Sequence, residues 1–317
     1  MTFLGKALLI AVCASATSSI HAEQKNVLII RGKSTHQGYS HNNDEVGMLI
    51  KSKLEKSKYA EQFDVTTTLN YPTDLSLVEN ADLIILSSDG GAKHALGDEK
   101  DPTVHMKHLD GVLKKNKTGL IAIHWATDAP SGGMGKLHPE NSKMMMDWIG
   151  AVYYWVKKGK DPRSSWTWKF PVLEMKVNKE HPISNGVAET FSLQDEYYFN
   201  FFTDADGRNP GSEKVTFLHS AHAPSHRSDI GNKKNWRDQA CYWSFTRENE
   251  GRSVAMTSAH MYHTWANPHF FQSFANSIFW TLDMEIPEGG VDIETPTLEE
   301  LLSYENTSIY KMARHFK

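Results

Sequence analysis

Three short runs of apolar residues constrain this chain more than any other feature. Asn26-Val-Leu-Ile-Ile30 closes on Arg31-Gly32, Ala81-Asp-Leu-Ile-Ile-Leu86 on Ser-Ser-Asp89-Gly-Gly, and Gly119-Leu-Ile-Ala-Ile123 on His124. A strand that is apolar at successive positions is buried on both faces, so helices must cover each side of its sheet. The intervening segments supply them. Asn43 to Ser57 sets Val46, Leu49, Ile50 and Leu54 on one stripe, and Thr103 to Lys115 forms a second helix. Phe63 to Leu69 is β-branched and reads as a further strand. This alternation predicts an α/β fold: an open, mostly parallel, twisted sheet with helices on both faces. Right-handed crossovers bring successive strand ends to one rim, where such sheets bind their ligands.

Residues 150–240 are less regular. Phe170 to Val177 and Val215 to Ser220 read as strands, with a Gly/Asn/Asp/Pro-rich surface loop at 204–211 between them. Ala240–Thr246 and Ser253–Thr257 form a hairpin pattern across a Glu-Asn-Glu-Gly turn. Pro268 to Leu282 is a helix with Phe271, Phe274, Ile278 and Phe279 as its buried stripe, and Leu298–Leu302 adds a helical turn to a C-terminal tail. At the other end, Lys6, the apolar Ala7–Ala14 and a run of small residues ending at Ala22 read as a signal peptide. The expected organisation is therefore 1–22 signal peptide, 23–286 α/β domain and 287–317 tail, in an exported protein, periplasmic or secreted. Val12 before Cys13 disfavours a lipoprotein. Only Cys241 follows the leader, so no intrachain disulfide is expected. The net charge of -4 with no basic patch argues against nucleic acid as a partner, and no later stretch suits stable membrane insertion. A homo-oligomer remains open.

The chemistry gathers where the expected strands end. After the first come His36 and His41; after the third, Asp89; after the fourth, His124, Trp125 and Asp128; after the late hairpin, His260, His263 and Trp265. Sixteen histidines must fall somewhere, and polar loops explain any one of them. His124 is the sharpest case, since it follows the strand with no intervening turn residue. A nucleophile elbow would need Ser or Cys there, so acyl transfer by such a nucleophile at this position is ruled out, while an imidazole binds metal or moves protons. A histidine merely satisfied by hydrogen bonds is the plainer alternative. In Gln194-Asp195-Glu196-Tyr197-Tyr198 an acidic pair sits among aromatics. On an extended chain only one of Asp195 and Glu196 faces the rim. A carboxylate in apolar surroundings suits a general base, against the alternative of a surface acidic pair. His36, His124, Glu196 and His260 together make an N/O ligand set for a divalent transition metal such as zinc. No nucleotide cofactor is expected.

In this order, these residues resemble the trehalose-utilisation (ThuA-like) family. The likeness rests on His36 and His41, the Gly-Leu-Ile-Ala-Ile-His124 strand end, His181-Pro-Ile-Ser-Asn-Gly186 and Asp195-Glu196-Tyr197. It continues through Tyr242-Trp243, Gly251-Arg252, Ala259-His260, Trp265, Phe270 and Trp280. The resemblance implies a flavodoxin-like, class I glutamine amidotransferase-like fold without the catalytic Cys. It also implies a role in carbohydrate catabolism on a sugar or glycoside, in particular one oxidised at C3. A 3-keto group acidifies the C2 hydrogen; a base removes it, the C1 group leaves and water adds back. Glu196 or His124 would be the base, with Asp195 the second acid, and His36 and His260 ligands or electrophiles. Trp125, Trp243, Trp265, His41 and Tyr197 would contact the sugar. The competing readings are metal-dependent hydrolysis of another small substrate and non-catalytic sugar binding. The chain departs from the family at Ala259, where Gly is usual. It departs again at Ile149-Gly-Ala-Val-Tyr-Tyr-Trp155, which lacks the family's second Gly and His and is expected to stand outside the site.

Overall fold

The computed structural model describes residues 24–35, 39–97, 100–131, 138–153, 165–201 and 215–303. The expected signal peptide, the 204–211 loop, His36 and the end of the tail lie outside them. The chain runs β1 (Lys25–Arg31), α1 (Asn43–Glu55), β2 (Phe63–Leu69), α2 (Ser76–Glu79), β3 (Leu83–Ser87), α3 (Val104–Lys115), β4 (Gly119–Ile123) and α4 (Pro139–Ile149). Then come β5 (Trp166–Trp168), β6 (Val172–Val177), β7 (Thr190–Gln194), β8 (Tyr197–Phe199), β9 (Val215–Pro224), β10 (Trp236–Thr246), β11 (Arg252–Met256), α5 (Pro268–Thr281) and α6 (Leu298–Ser303).

Nine strands form one sheet in the order β2-β1-β3-β4-β11-β10-β9-β6-β7, with β5 and β8 paired beside it. From β2 to β11 every pairing is parallel; from β11 to β7 every pairing is antiparallel. The expected α/β architecture is present, as a mixed open sheet with a parallel core. The hairpin forms as β10–β11, and β11 is the hinge of the sheet, parallel to β4 on one side and antiparallel to β10 on the other.

The apolar runs explain the layering. In β1, Val27 and Ile29 face one way, into a core with Leu49 and Ile50 of α1 and Phe271 and Phe274 of α5. Leu28 and Ile30 face the other way, against Leu109 of α3 and Trp148 of α4. Period-two alternation thus feeds two cores from one strand. The Asn267 side chain caps α5 by accepting from the His269 and Phe270 amides, and Pro268 opens the helix. Helix α4 was not anticipated, although Met144, Met145, Trp148 and Ile149 have helical spacing, Pro139 starts it and Gly150 ends it at φ 76°. The segment after 287 is packed rather than loose: Val291, Ile293 and Leu301 join the α1/α5 core.

His181-Pro-Ile-Ser-Asn-Gly186 belongs to this scaffold. His181 Nδ1 accepts from the Ile183 amide, and Gly186, at φ 73°, lies so close to the Gly289 carbonyl that no Cβ would fit. The motif docks the C-terminal segment. No helix among the described residues is long and apolar enough to cross a membrane.

Candidate functional site

Four buried side chains converge at the carboxyl rim of the parallel strands. His41 lies on the loop after β1, His124 directly after β4, His260 after β11, and Glu196 between β7 and β8. One ligand atom from each lies within 4.8 Å of all the others. His124 Nε2 is 3.2 Å from His260 Nδ1, and His260 Nδ1 is 3.4 Å from Glu196 Oε1. Bonds of about 2.0–2.2 Å in a tetrahedral zinc site put neighbouring ligand atoms roughly 3.3–3.5 Å apart, so these edges have the right length. Glu196 Oε2 is buried and accepts no hydrogen bond. A buried carboxylate oxygen with no hydrogen-bond donor, and only the Lys169 ammonium 3.8 Å away, is costly, and a closer cation would complete it. The residues present fit a divalent ion.

Surrounding groups fix which atom each ligand presents. The Thr257 carbonyl can only accept, so at 2.7 Å it takes the proton of His124 Nδ1 and turns the Nε2 lone pair inward. His41 Nδ1 is held at 2.6 Å by Asp89 Oδ1, which leaves Nε2 as its ligand atom. Burial pushes the Asp89 carboxyl up, but hydrogen bonds with His41, Thr35 and Asn43 outweigh it and hold the group below its ordinary value. Gly90 lets this rim close: a Cβ there would strike Trp125 and Asp128. The Tyr198 hydroxyl donates to His124 Nε2 at 2.8 Å, and its ring stacks on the imidazole. Burial raises its pKa, so it remains a proton carrier at neutral pH.

Asp195 and Glu196 diverge as an extended chain requires. Glu196 enters the cluster. Burial raises its pKa against the pull of Lys169, whose Nζ is 3.8 Å from Oε2. Asp195 turns the other way and is wholly buried. It accepts from the Ala259 and Met261 amides, the Thr264 hydroxyl and the Glu196 amide. Burial pushes its carboxyl up to about 7 against those four donors. The 259–264 loop is tied down by this one carboxylate, so Asp195 positions His260 rather than reaching a substrate.

The backbone is unusual at the same places. His41 (φ 50°), His124 (φ 52°) and Ala259 (φ 78°) occupy the left-handed region that favours glycine. The family's usual Gly before its late His therefore has a physical reason here, and Ala259 adopts that conformation despite its Cβ.

Several expected contacts fall elsewhere. His41, expected to touch substrate, joins the ligand group, while His36 lies outside the described residues. Trp243 is buried in the α3/α4 core with its indole N–H on the Ile149 carbonyl. Trp265 is buried against Phe270 and Phe274. Tyr197 is buried with its hydroxyl on the Leu193 carbonyl. None of these three offers a face to a sugar. Trp125 does stand at the site, half-buried, 5.2 Å ring to ring from His41. Tyr198 was missed, although the alternation that separates Asp195 from Glu196 puts Tyr198 on the side of Glu196. The described part of the 149–155 segment, up to Tyr153, also takes part, since the Tyr153 ring packs 4.7 Å from that of Tyr198.

An open sheet with a buried His/Glu cluster on its carboxyl rim defines an α/β protein with a candidate metal centre. The family model described as "ThuA: Trehalose utilisation" matches residues 26–281, and the chain belongs to that family. No curated protein matches it. Among solved structures, a ThuA-like protein from Bacteroides uniformis is similar with a TM-score of 0.56 at 14% identity, over 87% of this chain and 95% of that one. A glutamine amidotransferase from Thermotoga maritima has a TM-score of 0.40 at 13% identity, over 83% of this chain and 85% of that one. The glutaminase domain of Trypanosoma brucei CTPS has 0.42 at 7% identity, over 85% and 98%.

Proposed function

We propose that this chain is an exported, metal-dependent enzyme of carbohydrate catabolism that cleaves a 3-keto-glycoside by elimination and hydration. The observation that carries this reading is the convergence of His41, His124, His260 and Glu196 within 4.8 Å. The three imidazoles would hold the ion, which when bound supplies Lewis-acid stabilisation to an oxygen that becomes negative. Glu196, raised by burial and with no hydrogen bond to Oε2, is the base that takes the proton from C2 of the sugar. The electron pair left at C2 forms the C1–C2 double bond as the C1–oxygen bond breaks. The Tyr198 hydroxyl is placed to donate to the oxygen that departs. Water then adds at C1 and a proton returns to C2, so the net change is hydrolysis. The basic, apolar and small-residue pattern of residues 1–22 supports export.

The test is incubation of purified protein with a 3-keto-disaccharide in deuterated water, stripped of metal and then reloaded with zinc or manganese. Metal-dependent cleavage with deuterium at C2 of the keto product is expected. Cleavage of unoxidised esters instead, or of the glycoside without C2 deuterium, would indicate direct metal-dependent hydrolysis. No cleavage under any metal condition would overturn the proposal.

A further inference from the structure

The turn Lys169-Phe170 is not explained by the cluster or by the fold. Phe170 is 40% exposed, belongs to neither core and adopts φ 60°. A left-handed aromatic residue is strained, and a ring left 40% exposed recovers only part of the gain from burial. Yet this ring lies 5.9 Å from that of His260, and the neighbouring Lys169 reaches Glu196. The Trp125 ring lies 5.2 Å from His41, and the His41 and His260 rings are 4.5 Å apart. The four rings follow one another in contact, with two imidazoles between two aromatics. The Trp125 end is anchored, its indole N–H donating to Asp128 Oδ2 at 3.2 Å. The Phe170 end is held only by the backbone.

We infer that Phe170, at the other end of this run of ring contacts from Trp125, is the stacking platform that grips the apolar face of the substrate's pyranose ring and sets the preference for sugars. A pyranose presents axial C–H groups on one face and hydroxyls at its edge. An aromatic ring beside a candidate ligand and a lysine beside the base meet those two features separately. The strain at φ 60° is then the cost of bringing the ring over the mouth of the site.

This inference rests on the proposed reaction, and its test separates the two. Wild type, Phe170→Gly and Phe170→Trp are compared for KM and kcat on the 3-keto-disaccharide, for calorimetric affinity towards 3-keto-glucose, for metal content and for Tm. Glycine is at ease at φ 60°, so Phe170→Gly should keep its metal and have a Tm no lower than wild type. Its KM should rise and its 3-keto-glucose affinity fall by about tenfold, with kcat much less affected. Phe170→Trp should restore both binding readouts. Unchanged KM and affinity in the glycine variant of an active enzyme would overturn the inference and leave the reaction standing. A fall in Tm or loss of metal in that variant would show a structural role and overturn it as well. A wild type that neither cleaves nor binds keto sugars would overturn the reaction, and this inference with it.

Discussion

The parallel and antiparallel halves of the sheet contribute to the site in different ways. The parallel half, β2 to β11, delivers imidazoles: His41, His124 and His260 all follow its strand ends. The carboxylate and the hydroxyl come from the far end of the antiparallel half: Glu196 sits in the bend after β7, and Tyr198 in β8, which pairs with β5 outside the nine-stranded sheet. The first half supplies ligands by topology, since parallel strands all end on one rim. The second supplies acid–base groups by reach, and needs Asp195 to lock it onto the loop that carries His260. That carboxylate ties the halves together at the site, beside the β10–β11 pairing that joins them in the sheet.

Acidification should have the largest effect. Burial lowers His219 in β9 to about 3, and His181 after β6 and His94 after β3 to about 4, so all three are neutral in the fold. Unfolded histidines titrate near 6.5. The stability from these groups is fully present above pH 6.5 and is lost as pH falls towards 4, because the unfolded chain then binds more protons. Hydrogen exchange at pH 5 should rise around all three, in β9, after β6 and after β3, so acid loosens both halves of the sheet; loosening confined to one half would overturn this. Asp195→Ala comes next. It leaves two amides and a hydroxyl in the His260 loop without an acceptor and should cost about 3 kcal/mol or more in urea denaturation. Asp89→Asn acts on the parallel half alone. It should weaken zinc binding by about 10–100-fold in a competition titration, with little change in stability. The smallest effect belongs to Ala259→Gly, which relieves a left-handed Cβ and should raise stability by about 0.5–1 kcal/mol. A loss would show that the alanine methyl packs usefully.

The same contrast decides how much was legible in the sequence. Apolar runs such as Val27–Ile30 announce strands buried on both faces, and His124 at the end of one announces its own position. At the antiparallel edge, β6 and β7 are half-solvated and short. β7 and β8 carry no long pattern, so Glu196 was found through its odd company of aromatics rather than through its strand. Tyr197 and Tyr198 show the limit. Alternation favours Tyr198, but only once the direction of Glu196 is known. Trp243 and Trp265 misled because a large aromatic reads alike in a core and in a sugar cleft. Lys169 and Phe170 left no signal, since nothing in their neighbours foretells a left-handed turn.

The separation of the cluster along the chain has a consequence for folding. His124 and His260 lie 136 positions apart, and their nitrogens stand 3.2 Å from each other. Contacts of such long range form late, after the strands between them have docked. An ion that needs both imidazoles cannot be captured by any early intermediate. Once captured, it stabilises the finished chain by mass action. Metal uptake followed in real time would therefore act as a clock that starts only when β11 has taken its place between β4 and β10.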